Sequence, residues 1–346
     1  MAKVARHLWQ VINSVNLLLP TELFMTLFSP ARRRQVQALA LSSLMFSAIA
    51  QADTIKLMVG FPPGGGTDAI ARLLAEKLKE PLGANVIVEN KAGAGGQIAA
   101  QALKAAPADG TVLFLSHDHT ISILPQVVKN PGFNPAQDFT PVAGFATFVN
   151  GLAVSGGTPA KSFNEYVAWV KAKGKDTVGV PAPASVPEFL VKVIGEKYKL
   201  DLAAAPYRGS APMMADMLGN QIAAGVASVP DFIENHKAGK VRMVALLGKD
   251  RQALLPDVPT FAELGLTGFE DLPYYGIFAP AGTPKAVVDR TSDAVAKVLA
   301  QPDVKAHLTA MGLTVGHMTP QQLGAREKAY TATWARIIKA SGFQAQ

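Results

Sequence analysis

The segment from Lys56 to Glu80, KLMVGFPPGGGTDAIARLLAEKLKE, passes from a short apolar run to a helical repeat. Leu57–Val59 is continuously apolar, as in a buried strand. Further on, apolar residues recur three or four positions apart, at Ile70, Leu73, Leu74 and Leu78. The pattern predicts a strand, a tight turn over residues 62–66, and a helix from Asp68 onward.

The glycine triplet in this turn predicts an anion site. Gly64, Gly65 and Gly66 lack the Cβ that blocks close backbone approach, and Thr67 and Asp68 can cap the first helical turn. Free amide N–H groups and the positive end of the helix dipole therefore face one point. A P-loop is excluded because no Lys follows the last glycine, and the Rossmann spacing fits no better. The alternative is a plain strand-to-helix turn.

The same design repeats along the next fifty residues. Val86–Val88 is a second apolar strand, a loop with Gly93, Gly95 and Gly96 follows it, and a third strand runs over 112–116. Strand, helix, strand, helix and strand in this order predict an α/β lobe with a parallel sheet, whose loops gather at the carboxyl ends of the strands.

Extended segments from Phe139 to Ser155 predict a crossing into a second lobe. Its first helix, Ser162–Ala172, opens with a capping box of Ser162 and Glu165. A strand over 177–180 leads to a helix whose first turn holds Pro187 and Glu188, with Ser185 as its cap, and another helix is expected within 207–221.

The chain is then expected to return to the first lobe. Val241–Gly248 is a predicted buried strand, 256–266 a turn with a short helix, and 273–284 the crossing back, before helices over 285–299 and 320–339. Tyr274 and Tyr275 lie at this hinge. Each can wall a pocket or pack in the core.

The first 52 residues have the features of a signal peptide. An arginine triplet at 32–34 precedes the apolar run Val36–Ile49, and Ala50-Gln51-Ala52 is a small-x-small cleavage site. The run is shorter than the ~20 residues of a membrane span. We expect cleavage after Ala52 and a periplasmic product, with Met25 as a candidate true start and 1–24 as a mis-assigned extension.

Composition narrows the class of protein. The 346 residues are 49% hydrophobic and 17% charged, enough for two lobes with cores, and the absence of cysteine excludes disulfides and thiolate chemistry. The net charge of +7 includes five basic and one acidic leader residues, and without them 28 basic residues face 25 acidic ones, a net charge of +3. With no basic stripe among aromatics, nucleic-acid binding is not expected.

Two histidines follow the third strand. His117 and His119 flank Asp118, and such a pair can begin a metal site, but no third ligand stands at suitable spacing. We expect no metal or cofactor, with one histidine donating to ligand or backbone. A serine hydrolase using Ser116 or Ser185 with either histidine is the alternative, although no GxSxG elbow supports it.

An ordered set of motifs carries a family resemblance over nearly all of the chain after residue 52. The motifs are GFPPGGGTDAIARLLAEKL, VENKAGAGGQIAA, APADGTVLFL, PYRGSAPMMADMLGNQI, HKAGKVRMVAL, LPDVPTFAELG and APAGTPKAVV. Together they resemble the Bug receptors, the periplasmic substrate-binding proteins of tripartite tricarboxylate transporters. The resemblance implies an α/β, two-lobed periplasmic binding protein fold (type II-like) with two crossovers and a ligand cleft between the lobes.

The resemblance also implies a division of the chain and a set of partners. We expect lobe 1 over 53–153 plus 275–346 and lobe 2 over 154–274. The expected product is a monomeric receptor, not an enzyme, that delivers a small carboxylate to transporter subunits in the membrane or to a sensor kinase.

For the site, the family pattern implies that one ligand carboxylate is held by backbone amides and water at the first glycine loop, with the second lobe at its other end. The expected ligand-binding residues are Phe61, Pro62, Gly64, Gly65, Gly66, Thr67, Asp68, Ser116, His117, His119, Ser185, Val186, Tyr207, Gly209, Ser210, Ala211, Tyr274 and Tyr275. The chain departs from the pattern at PAPASVPE and at Ser116–His119. Arg208 is the only cation in the second-lobe turns that are expected to meet the far end of the ligand. Because further carboxylates would be desolvated there without partners, a monocarboxylate, or a mixed aromatic or amide acid, is expected over a tricarboxylate.

Overall fold

Two β-sheets organise the protein. The computed structural model describes residues 54–268 and 271–345. The strands are β1 Thr54–Val59, β2 Asn85–Asn90, β3 Val112–His117, β4 Phe139–Thr147, β5 Asn150–Ser155, β6 Asp176–Val180, β7 Leu202–Pro206, β8 Ala224–Ser228, β9 Val241–Leu246, β10 Tyr274–Pro280 and β11 Thr314–Met318. We call the part built on each sheet a lobe.

The first sheet has six strands in the order β11-β4-β10-β3-β1-β2. Strand β1 pairs in parallel with both β2 and β3, which confirms the predicted unit of three strands and two helices. Strand β10 lies between β3 and β4 and is antiparallel to both. The carboxyl ends of β1 and β3 therefore open on the same edge of the sheet.

The second sheet has five strands in the order β7-β6-β8-β5-β9. Strands β6, β7 and β8 are parallel, and β5 runs antiparallel to β8 and β9. The chain enters this sheet after β4 and leaves it after β9. At the crossings the N–H of Phe148 donates to the carbonyl of Pro273 at 3.1 Å, so the two connecting segments run side by side.

Helices cover both sheets. They are α1 Gly66–Leu82, α2 Gln97–Lys104, α3 Leu124–Val127, α4 Pro135–Asp138, α5 Phe163–Lys173, α6 Val186–Tyr198, α7 Ser210–Leu218, α8 Val229–Lys237, α9 Lys285–Leu299, α10 Pro302–Ala310 and α11 Pro320–Ala340. In α1 the side chains of Ile70, Leu74 and Leu78 are fully buried, as their spacing predicts. Helix α5 begins at the predicted capping pair, because the Glu165 N–H donates to Ser162 Oγ at 3.3 Å.

Several elements differ from the sequence expectation. Residues 256–266 form turns rather than a short helix, with Thr260 bridging to Leu246. The crossing expected over 273–284 is strand β10, the middle of the first sheet. The pattern analysis missed β8, α8 and β11 altogether.

The predicted signal peptide and its cleavage site lie outside the described residues. Within 54–268 and 271–345, no helix has the length and apolar character needed to cross a membrane.

Candidate functional site

A partly open cavity lies where the loops of the two sheets meet. Its empty space, counted together with the solvent at its mouth, is about 590 Å³, and its wall is formed by Phe61, Pro62, Gly65, Thr67, His117, Asp118, His119, Phe148, Asn150, Pro181, Ala182, Ser185, Val186, Pro187, Ser210, Ser228, Asp231 and Tyr275. Most of these residues come from the ends of β1, β3, β6 and β8 and from the starts of α1, α6, α7 and α8, while Phe148 and Asn150 lie at the crossing between β4 and β5 and Tyr275 lies in β10. The cavity is thus built from both lobes.

The first glycine turn borders the cavity, and two of its amides have hydrogen-bond partners within the protein. The Gly64 N–H donates to Asp68 Oδ2 at 3.0 Å, and the Gly66 N–H donates to Asp231 Oδ1 at 3.0 Å. Burial raises the pKa of the Asp68 carboxyl, but hydrogen bonds from Arg72, Gly64 and Asn90 outweigh burial and bring that pKa below its ordinary value. Asp68 is therefore an ionised structural residue that orders the turn.

This turn contacts the YRGSAP turn of the second lobe directly. A Cβ on Gly65 would lie 2.8 Å from Ser210 Oγ, and a Cβ on Gly209 would lie 2.6 Å from Pro62 Cδ. The φ of Gly209 is +105°, which disfavours any L side chain at that position. Both glycines leave room for a side chain of the facing turn, Ser210 at Gly65 and Pro62 at Gly209, where one turn from each lobe meets the other.

Asp231, on the first turn of α8, joins the two lobes at this contact. Its Oδ1 accepts from the Gly66 N–H and, at 2.5 Å, from Ser210 Oγ. Its Oδ2 accepts from the N–H and the hydroxyl of Ser228 at 3.2 Å and 2.5 Å. A carboxylate of the protein itself therefore accepts from the Gly66 N–H at the start of α1.

Aromatic rings form the opposite wall. The rings of Phe61 and His117 are stacked with centroids 5.0 Å apart, and Phe148 lies 4.7 Å from Tyr275. The Tyr275 hydroxyl is within 3.2 Å of Thr67 Oγ1, and burial raises the pKa of that phenol. Much of the cavity wall is accordingly flat and apolar, with hydroxyl groups at its edge.

Tyr274 faces away from the cavity because successive strand residues point to opposite sides of a sheet. Its hydroxyl lies 2.8 Å from Ser122 Oγ, and its ring packs against Tyr330 at 5.7 Å. Of the two hinge tyrosines, Tyr275 lines the cavity and Tyr274 packs in the core beside it.

His119 combines deep burial with an unsatisfied ring nitrogen. The residue is 5% exposed and its Nδ1 has no hydrogen-bond partner. Burial, and then the neighbouring His117, lower the pKa of His119 to about 4, so its imidazole is neutral at neutral pH. A neutral ring in the cavity wall with a free nitrogen can bind a polar group of a solute.

The second lobe contributes the start of α6. Ser185 precedes the helix without capping it, and its Oγ instead donates to the Ala182 carbonyl at 2.6 Å. Val186 and Pro187 form the first turn and line the cavity. The start of α6 thus opens on the cavity, and the carboxylate of Glu188 in its first turn accepts from the Ala184 N–H.

Not every expected residue reaches the cavity. Tyr207 and Gly209 line an adjoining depression of about 610 Å³, which also includes Arg208 and shares Phe61, Pro62 and Pro181 with the cavity. Six expected residues line neither space: Gly64, Gly66, Asp68, Ser116, Ala211 and Tyr274. Sequence reasoning missed Asp118, Phe148, Asn150, Pro181, Ala182, Ser228 and Asp231 as cavity residues. The departure of the PAPASVPE segment from the family pattern could have indicated Ala182, and Pro187 in the same segment also lines the cavity.

No group of three or more His, Asp or Glu side chains in the described ranges could hold a metal ion. The two histidines of the cavity lie with ring centroids 6.5 Å apart and a tilt of 32°.

The chain belongs to the family described as tripartite tricarboxylate transporter family receptor, whose model matches residues 70–343. This match confirms the Bug-receptor resemblance and identifies the class as a periplasmic solute receptor. The BugT protein of Bordetella pertussis (strain Tohama I) is 30% identical over 294 residues, covering 83% of this chain and 89% of BugT.

Solved structures share the fold. The periplasmic binding protein BugD has a TM-score of 0.80 and 31% identity, with 85% of this chain and 99% of BugD covered. Rpa4515 of R. palustris, solved with adipate, has a TM-score of 0.79 and 29% identity, covering 84% of this chain and 97% of that protein. The two-lobed fold expected from the sequence is confirmed.

Proposed function

We propose that this protein binds a small organic carboxylate in the cavity between its lobes and delivers it to a tripartite transporter or to a sensor. One observation carries the proposal. The cavity is lined by the first turns of α1, α6 and α7, at Thr67, Val186 and Ser210. The N-termini of α1 and α7 meet the carboxylate of Asp231, so the start of α6 is the helix N-terminus of this set at which a ligand anion can be held without displacing Asp231.

Two further facts support the proposal. The family is one of receptors for tricarboxylate transporters, and the similar protein Rpa4515 was solved with a dicarboxylate, adipate. The proposed ligand contacts are the expected residues that line the cavity or the adjoining depression, together with the missed cavity residues.

We extend the proposal to export and assembly. The chain is secreted to the periplasm with cleavage after Ala52, works as a monomer, and meets transporter subunits or a sensor kinase when loaded. The lobe boundaries expected at 153/154 and 274/275 fall inside β5 and β10, so we place them instead at the paired crossings, at Phe148 and Pro273, about which the lobes close on the ligand.

We propose further that the protein is not an enzyme. The hydrolase alternative requires a serine hydroxyl hydrogen-bonded to a histidine. Ser185 Oγ donates to the Ala182 carbonyl instead, and the buried Ser116 Oγ has no hydrogen-bond partner. Neither serine forms the pair that hydrolysis needs.

A thermal-shift screen of organic acids, followed by calorimetry, tests the proposal. Monocarboxylates, dicarboxylates, citrate, and benzoate- and nicotinate-like acids are compared at equal concentration and ionic strength, and matching esters and amides are assayed for hydrolysis. Stoichiometric binding of at least one acid without turnover is expected. Turnover of an ester, or no binding across the whole panel, contradicts the proposal.

A further inference from the structure

The carboxylate of Asp231 is saturated with hydrogen bonds. Each oxygen accepts two: Oδ1 from the Gly66 N–H and Ser210 Oγ, and Oδ2 from the Ser228 N–H and hydroxyl. A carboxylate offers about four lone-pair positions, so this side chain has no acceptor left for a solute.

Three helices begin at residues that contact or carry this carboxylate. Helix α1 does so through the Gly66 N–H, α7 begins at Ser210, and α8 begins at Val229, two residues before Asp231. The point at which the fold favours a negative charge is therefore filled by the protein. A ligand carboxylate can occupy it only by displacing Asp231 from four hydrogen bonds.

The remaining charges of the cavity do not attract a second anion. Asp118 is another carboxyl-bearing residue of the wall, His119 is neutral because burial lowers its pKa to about 4, and no Lys or Arg within 54–268 and 271–345 lines the cavity. Arg208 belongs to the adjoining depression. Among the described residues, a solute anion in the cavity thus finds the start of α6 and the neutral ring of His119, which can donate to it through a ring nitrogen that carries the hydrogen, but no cationic side chain.

We propose that Asp231 is a specificity-determining residue that restricts the cavity to acids with a single carboxylate. The inference rests on the proposed carboxylate binding. The lone ligand carboxylate binds at the start of α6 and His119, and the rest of the ligand lies against the Phe61, Phe148 and Tyr275 rings. A second carboxylate is excluded because it meets the charge of Asp231 in a poorly solvated space without a counter-ion.

The test uses two acids of equal chain length that differ by one carboxylate. Hexanoate and adipate are titrated calorimetrically into the wild-type protein, Asp231→Asn and Asp231→Ser. The wild type should bind hexanoate on the order of tenfold more tightly than adipate, and both variants should lose most of this preference through a gain in adipate affinity. Asp231→Ser keeps a small hydrogen-bonding side chain, should Asp231→Asn fail to fold.

Asp303→Asn is the matched control. Asp303 also lies in the first turn of a helix and carries a hydrogen-bonded carboxylate, but it is outside the cavity and paired with Lys77. This variant removes one negative charge and should leave the preference unchanged.

The inference is overturned if the wild type binds adipate more tightly than hexanoate, or if a folded Asp231 variant keeps the wild-type ratio. This result is distinguishable from failure of the proposed function. If the inference about Asp231 is wrong, acids bind but the ratio of hexanoate to adipate affinity differs from the expected one. If the proposed function is wrong, neither these two acids nor any acid of the screening panel binds.

Discussion

The hydroxyl of Tyr330 donates to Oδ2 of Asp118 at 3.0 Å, linking helix α11 to the wall of the cavity. Both residues are buried, and the carboxyl of Asp118 also lies 3.4 Å from His117 Nδ1. The orientation of a cavity side chain is thus fixed by a residue 212 positions away in the chain.

Replacing Tyr330 by Phe should destabilise the protein by about 1–3 kcal/mol, because it removes a donor from a buried carboxyl group. Urea unfolding measures the change. Tyr198→Phe is the control, since that hydroxyl donates to the Leu264 carbonyl from a less buried position and should cost less. Equal losses of unfolding free energy in the two variants would show that the hydrogen bond to Asp118 stabilises the protein no more than the hydrogen bond to the Leu264 carbonyl does.

Gly65→Val should weaken ligand binding by on the order of tenfold or more while the fold survives. The φ of Gly65 is −86°, so the substitution causes no backbone strain of the positive-φ kind. Its Cβ would instead lie 2.8 Å from Ser210 Oγ and hold the two turns apart. Calorimetry gives the affinity, and circular dichroism checks the fold.

Gly316→Val is the matched control for this variant, because no atom lies within 4 Å of a Cβ built there. Unchanged affinity in Gly65→Val would mean that contact between the turns contributes nothing to binding.

The radius of gyration should fall when ligand saturates the protein. In this structure the two turns already touch, through Pro62 with Gly209 and Gly65 with Ser210, as expected of a closed receptor. Small-angle scattering of the saturated protein should match this structure, whereas the ligand-free protein should be more extended. Identical profiles with and without ligand would indicate a rigid cleft.

Glu327→Gln should stabilise the protein at alkaline pH. Burial raises the pKa of Glu327 from 4.5 to about 7, so its contribution to stability is complete below about pH 4.5 and is lost as pH rises to about 7. The variant should gain ~3 kcal/mol over the wild type at pH 8 and little at pH 4.5.

Urea unfolding at both pH values measures that difference. His119 titrates in the opposite sense, since its pKa falls from 6.5 to about 4 and its contribution is lost as pH falls. The comparison of Glu327→Gln with wild type cancels this effect. A constant difference between the two proteins across pH would contradict a buried, titrating Glu327.

Local patterns predicted the first lobe well. Strand, glycine turn and helix are encoded within a few residues of one another, so β1, α1 and the parallel unit around them could be predicted from residues 56–116. Strand β8 reads AGVAS, which lacks the bulky apolar run that marks a buried strand, and it was missed with the helix that follows.

That omission explains why Asp231 was not expected in the site. Its partner Gly66 is 165 positions away, and no spacing rule brings such residues together. A sequence can show that a helix N-terminus favours an anion, but not which anion fills it. The sequence also could not show which of Tyr274 and Tyr275 faces the cavity. That depends on both residues lying in strand β10, where adjacent side chains point to opposite faces of the sheet.

The place of β10 in the first sheet also constrains the order of folding. Strand β1 pairs with both β2 and β3, and β4 pairs with β11. Among the described strands, β10 (Tyr274–Pro280) joins these two groups by pairing with β3 on one side and β4 on the other. During synthesis, the first 150 residues emerge without the strand that completes their own sheet. The second sheet, whose strands all lie between Asn150 and Leu246, can assemble earlier. The lobe that begins the chain is therefore the last to be finished.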